Sequence, residues 1–198
     1  MPHWDCDPGI YAITFNLFDA VPADRLTRLR HEAELQRERI RAARGRPSFA
    51  EEAAIERALR RKIFDLMDQG HGSSFMMDPE IARLVVQDIT ADAIELFAWC
   101  VMPNHVHVVA PSTGPVAVMV KRWKGRSARD ANQYMNRAGQ SFWQQDYFDR
   151  SIRDPRELRA WMGYVEANPR RAGLRDWPWV AVDWERAAPY LMVEPLRT

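Results

Sequence analysis

The chain has 198 residues, room for one domain with a substantial core and an appended subdomain. A hydrophobic fraction of 46% with eight tryptophans excludes a disordered chain, and two cysteines, Cys6 and Cys100, exclude a disulfide framework and suit a reduced compartment. Net charge is only +1, but its distribution is uneven: Gly114 to Asp176 carries thirteen Lys and Arg against seven Asp and Glu, which fits a polyanionic partner, whereas Asp19 to Phe75 carries twelve against ten.

The first residues lack a basic and apolar leader pattern, and no apolar run approaches membrane-spanning length, so the expected location is cytoplasmic with no membrane partner. His3-Trp4-Asp5-Cys6 offers half of a zinc site with no second half to match it. Ile10 to Leu17, rich in aromatic and β-branched residues between Pro8-Gly9 and Asp19, reads as a strand. The period then changes. Leu26, Leu29, Ala33, Ile40 and Ala43 mark a helix with Asp24 as its expected N-cap and Gly45 as its stop. Ser48 and Glu51 form a capping-box pair for a second helix running to about Gln69, with Ile55, Leu59, Ile63, Leu66 and Met67 on its apolar side. Together they make a charged helical hairpin, inserted at about residues 19–75, with no legible chemistry. Gly70-His71-Gly72-Ser73-Ser74 is a turn-rich link in which His71 reads as an exposed loop residue.

Asp78-Pro79 starts the next helix, with Asp as N-cap and Pro at the first helical position, and Ile81, Leu84 and Val85 form its buried face. Ile94 to Val101 and His105 to Ala110 read as a strand pair joined by the tight turn Met102-Pro103-Asn104. Successive strand side chains alternate faces, so His105 and His107 share one face while Val106 and Val108 share the other. Two rigidly placed imidazoles on a strand suit metal ligation; an exposed histidine pair on a surface strand is the simpler alternative.

After Pro111-Ser112-Thr113-Gly114-Pro115 a helix runs to about Asn136, with Val116, Val120, Trp123, Ser127 and Tyr134 marking one side as a buried stripe. Another of its sides carries Arg122, Arg126 and Arg129, with Lys121 and Lys124 beside them, a basic ridge suited to DNA phosphates or simply to solvent. Phe142 to Phe148 is an aromatic-polar cluster, a strand or an ordered loop, whose rings suit either the core or stacking on bases. The last motif helix starts at Asp154-Pro155 with Glu157 at N3, and Leu158, Trp161, Met162 and Val165 form its buried stripe. Tyr164 and Asn168, four residues apart, lie together on one flank, and Pro169 is expected to end or kink the helix. Trp177-Pro178-Trp179 and the tail to Thr198 read as packing segments. Without the insertion the order is β-α-β-β-α. That order suggests an α+β, ferredoxin-like (RRM-like) antiparallel sheet with helices on one face, within a single domain of residues 1–198.

Met-Pro-Asn-His-Val-His at residues 102–107, Phe-Trp-Gln at 142–144, Asp-Tyr-Phe-Asp at 146–149 and Asn-Pro-Arg-Arg-Ala-Gly-Leu at 168–174 resemble the REP-associated tyrosine transposases. These are single-tyrosine enzymes of the His-hydrophobe-His class, and the likeness runs from about Phe75 to Trp179, plus the strand near Tyr11. It implies the same fold and a metal-dependent endonuclease and strand transferase acting on single-stranded DNA at hairpin or palindromic repeats. Tyr164 would be the nucleophile, forming a 5′-phosphotyrosine. His105, His107 and Asn168 would hold Mg²⁺ or Mn²⁺. Related insertion-sequence enzymes commonly carry Gln where this chain has Asn168. Tyr134 and Tyr147 are rival nucleophiles. The other readings are a domesticated hairpin-DNA-binding protein that no longer transposes, and a replication-initiator or relaxase-type nicking enzyme; a second adjacent tyrosine, which the latter would favour, is missing. A monomer or a homodimer suits either family role.

Overall fold

The computed structural model describes residues 8–92 and 94–192, so the His3–Cys6 stretch and the tail beyond Met192 lie outside the described residues. The elements follow in the order β1 (Gly9–Asn16), α1 (Ala23–Arg44), α2 (Phe49–Asp68), α3 (Pro79–Thr90), β2 (Ala98–Val101), β3 (His105–Ser112), α4 (Val116–Tyr134), β4 (Phe148–Ile152), α5 (Pro155–Arg171), β5 (Val180–Val182) and α6 (Trp184–Leu191). A single 3-10 turn, Phe75–Met77, precedes α3. The chain divides into two compact units, Asp19–Ser74 and the remainder.

The five strands form one antiparallel sheet in the order β4-β1-β3-β2-β5, so the protein is α+β as its element pattern implies. Without α1 and α2, the first four strands and their two connecting helices follow the β-α-β-β-α-β sequence of a split βαβ layer. β1 lies between β4 and β3, its Thr14 opposite His107 and its Asn16 opposite His105. Side chains of paired residues share a face. Ala12, Thr14, Asn16, Ala98, Cys100, His105, His107 and Val109 therefore line one side of the sheet, and Phe15, Val106 and Val108 the other.

Both sides are covered. On the Phe15 side, Trp143 meets Phe15 edge to face at 4.8 Å and donates from Nε1 to Ser127 Oγ in α4, 3.0 Å away. α4 in turn packs on α3. On the histidine side, Leu158, Met162 and Val165 of α5 and Ala187 of α6 close over Ala12, Ala98, Cys100 and Val109. The expected single helical face is thus one of two, because α5 and α6 also bury an apolar stripe. No described helix is long and apolar enough to cross a membrane.

Local signals explain most boundaries. Asp78 and Asp154 accept hydrogen bonds from the backbone N–H groups of Glu80 and Glu157, and Pro79 and Pro155 occupy the first helical turn. The Ser48–Glu51 capping box is reciprocal. α1 departs from expectation at its start, where Pro22 is the cap and Asp24 lies in the first turn. α5 continues through Pro169 to Arg171, since a proline this close to the end of a helix sacrifices one bond only. Its carbonyl is still used, accepting from Leu174 N at 2.9 Å. The Asp19–Ser74 unit is closed at its base: Asp19 Oδ2 accepts from Ser73 N and Oγ, at 3.0 and 2.8 Å. Gly72 allows that clasp, with φ +72° and a position where a Cβ would stand 2.2 Å from the Asp19 carbonyl oxygen.

Candidate active site

β3 carries the two histidines next to the turn that joins it to β2. Met102 N donates to His105 O at 2.8 Å, closing that turn, and His105 and His107 are both buried. Their rings meet edge to face with centroids 4.7 Å apart. Each Nδ1 has an oxygen partner at 2.7 Å: Asn104 Oδ1 for His105 and Thr14 Oγ1 for His107. An amide oxygen only accepts, so His105 carries its proton on Nδ1 and keeps the Nε2 lone pair, as a metal-ligating imidazole must. The Thr14 hydroxyl allows His107 the same tautomer. Burial holds the His105 imidazole down to about 3 and His107 well below the ordinary histidine range, the latter further depressed by the charges of His105 and Arg171. Both rings are therefore neutral at pH 7.

α5 brings Tyr164 to this pair. Its half-buried ring lies 5.2 Å from the His107 ring, edge to face, and 5.7 Å from Trp161 one turn before it. The Arg171 guanidinium sits 5.1 Å from the Tyr164 ring centroid, within cation–π reach. Tyr134 is exposed at the end of α4, its hydroxyl 3.4 Å from Asp78, whose charge pushes the phenol up. Tyr147 is buried.

Asn168, one turn beyond Tyr164, is 0% exposed, and neither Oδ1 nor Nδ2 has a hydrogen-bond partner among the described residues. Leaving such a group unsatisfied costs about 1–3 kcal/mol per atom. A buried amide oxygen of this kind is a natural place for a cation. Among the described residues no three His, Cys, Asp or Glu side chains cluster as a metal cage. Two neutral imidazoles on β3 and a neutral buried amide on α5 are donor types that suit a divalent ion keeping open positions for other oxygens.

The basic ridge divides. Arg126 is turned inward, donating to Asp92 Oδ1 at 2.9 Å and to the Asp88 carbonyl at 2.5 Å, so it ties α4 to the end of α3. Lys124 Nζ donates to the carbonyls of Gln144, Gln145 and Asp146 at 2.6, 2.8 and 3.3 Å, and burial lowers its ammonium to about 8. Lys121, Arg122 and Arg129 remain exposed, Arg122 with a long pairing to Asp92 at 3.5 Å and Arg129 beside Asp130 at 2.9 Å. Sequence reasoning did not single out Thr14, Asn16, Asn104 or Arg171. A signal was present in the first strand, where Thr14 and Asn16 interrupt an apolar run at the same two-residue period as the histidines.

Residues 73–168 match the family model for IS200-like transposases. No curated protein matches the chain. A solved structure of a REP-associated tyrosine transposase bound to a REP hairpin superposes with a TM-score of 0.54 at 14% identity, covering 98% of this chain and 87% of that one. A candidate transposase from Deinococcus radiodurans R1 aligns at 16% identity over 85% of this chain and 96% of its own, with a TM-score of 0.38. The family resemblance drawn from the motifs is met by the first match, and the fold by the hairpin-bound structure.

Proposed function

We propose that this chain, whose residues 73–168 match the model for IS200-like transposases, cuts and rejoins single-stranded DNA at hairpin or palindromic repeats, with Tyr164 as the nucleophile. The observation that carries the reading is the packing of the Tyr164 ring against His107, in a pair of buried imidazoles kept neutral. Hairpin DNA is taken as the partner because the structural neighbour holds a REP hairpin.

The Tyr164 hydroxyl gives up its proton to solvent as its oxygen attacks phosphorus, the bond from phosphorus to the 3′-oxygen breaks, and that oxygen takes up one proton from solvent to leave as a hydroxyl. The DNA 5′ phosphate is then joined to Tyr164. Attack by a 3′-hydroxyl reverses the step and rejoins strands without loss of bond energy. Mg²⁺ or Mn²⁺ held by His105 Nε2, His107 Nε2 and Asn168 Oδ1 would supply Lewis-acid polarisation of a non-bridging phosphate oxygen. The chain's own residues do the positioning. Asn104 and Thr14 fix the two imidazoles through Nδ1, and α5 carries Tyr164 and Asn168 on one rigid element. Arg171 adds positive charge beside the phenol, where the phosphate must arrive.

The test is Tyr164→Phe, which keeps every ring contact and removes one oxygen. Wild-type protein with a divalent metal and a hairpin oligonucleotide bearing single-stranded extensions should yield DNA joined through its 5′ phosphate to the peptide containing Tyr164. The variant should bind the same DNA and leave it uncut. An adduct mapping to Tyr134 or Tyr147 would sink the assignment, and cleavage with no adduct would make water the nucleophile.

A further inference from the structure

The polar face of the sheet extends past the two histidines. Asn16 is the ladder partner of His105, shares its face and is 1% exposed. Its Nδ2 donates to the Leu17 carbonyl and to Gln144 Oε1, both at 2.9 Å. A backbone carbonyl only accepts, so the Asn16 atom facing it is the nitrogen, and the Gln144 atom facing that nitrogen must be oxygen. The Gln144 Nε2, with two donors, is turned away from Asn16 and makes no hydrogen bond among the described residues.

The backbone at this point is held from two sides. Gln144 N donates to the Asn16 carbonyl at 2.9 Å. From the other side Lys124 spends its three donors on the carbonyls of Gln144, Gln145 and Asp146. A glutamine so tethered cannot swing its amide freely, and it offers only donors, without charge, beside Asn16, the ladder partner of His105.

We propose that Gln144 is a phosphate-binding residue of this site, its Nε2 donating to a non-bridging oxygen of the phosphate at the cut or next to it. The inference rests on the strand-transfer reading above. A neutral donor suits a reversible reaction, because it orients the phosphate without the added Coulombic hold of a second cation on the cut strand.

Gln144→Glu is the informative variant. It keeps the shape and the oxygen that Asn16 needs, and replaces the outward donors with a carboxylate oxygen facing the phosphate. The probe is a pool of hairpin oligonucleotides with randomised single-stranded extensions, from which one cut sequence is taken and remade with single methylphosphonates at and around the cut. Single-turnover cleavage by Gln144→Glu should fall about ten- to hundredfold, as expected for losing a hydrogen bond to a charged group, with hairpin binding within about threefold. One methylphosphonate position should recover the variant relative to wild type, since neutralising the contacted phosphate removes the repulsion. Gln144→Met should lose rate with no position-specific recovery. Wild-type cleavage by Gln144→Glu, or loss that no position recovers, overturns the assignment while leaving Tyr164 in place. If wild-type protein cuts nothing in the pool, the strand-transfer reading fails and this inference with it.

Discussion

His105 and His107 bear on stability as well as on the chemistry proposed for them. Folded, both stay neutral far below pH 6.5, because burial penalises the imidazolium. Unfolded, they take up protons as the pH falls through about 6.5. The unfolded state therefore binds more protons in the window from about 6.5 toward 3, and acid favours it. For two such groups the loss between pH 7 and 5.5 is on the order of 2 kcal/mol without metal. Urea midpoints at the two pH values measure it, and a His105→Gln/His107→Gln double variant should lose most of the difference. A wild-type midpoint independent of pH in this range contradicts the burial of both rings. At this scale the sequence was legible where chemistry is written in a short period. His-x-His on a strand and Tyr164 four residues from Asn168 both follow from element geometry. Gln144 was not legible in the same way, since its meaning comes from Asn16 on another element, and Arg171 takes its meaning from Tyr164 two turns before it on α5, a spacing that no short motif announces.

Among the elements, α4 shows how a helical pattern can overstate a surface. The i, i+4, i+7 spacing of Arg122, Arg126 and Arg129 suggests one continuous ridge, yet only 27% of the Arg126 side chain is exposed, and Asp88 and Asp92 flank it. Burial and the Asp130 charge push the Asp88 carboxyl up, while the Arg126 guanidinium holds Asp92 down. Arg126→Ala leaves Asp88 without its paired cation and Asp92 with only the longer pairing to Arg122. It should destabilise the protein by about 2 kcal/mol, visible in a urea titration without DNA. Replacing Lys121, Arg122 and Arg129 by Gln should cost less than Arg126→Ala in that titration, since their pairings are exposed, and reduce the log-log salt slope of DNA binding, by up to about one per lost phosphate contact. An unaltered slope would make this a solvated face. The N-caps of α2, α3 and α5 were legible because each uses a side-chain oxygen at a fixed offset. β4, β5 and α6 were not. Phe-Asp-Arg-Ser-Ile alternates weakly, Val-Ala-Val is three residues long, and Pro189 inside α6 mimics a stop.

At the scale of the whole molecule, the Asp19–Ser74 unit is an excursion from an otherwise continuous sheet-and-helix layer. Within it Arg37 gathers Glu34, Glu52 and Glu56, joining α1 to α2. The segments flanking the excursion return to one place: Leu17 N donates to Asn104 O at 2.8 Å and Met76 N to Pro103 O at 3.1 Å. A short Gly-Ser link replacing residues 19–74 therefore has little distance to span, and the remaining chain should fold with its sheet intact by circular dichroism. Collapse of the shortened protein would show that the excursion is needed for folding.

The bond between Thr14 and His107 joins residues 93 apart in sequence, and this has a consequence in time. Neither histidine has its full set of neighbours until β1 finds β3, and the chain between them includes the whole of α1 and α2. Closing so long a loop is slow, because its entropy is lost before any contact repays it. Excision shortens the separation to about 40 residues and saves roughly 0.8 kcal/mol of closure entropy. If the β1–β3 pairing is formed in the transition state, the shortened protein should refold about fourfold faster in stopped-flow experiments, with unfolding little changed. The helical excursion would then set how quickly a newly made chain acquires its paired histidines.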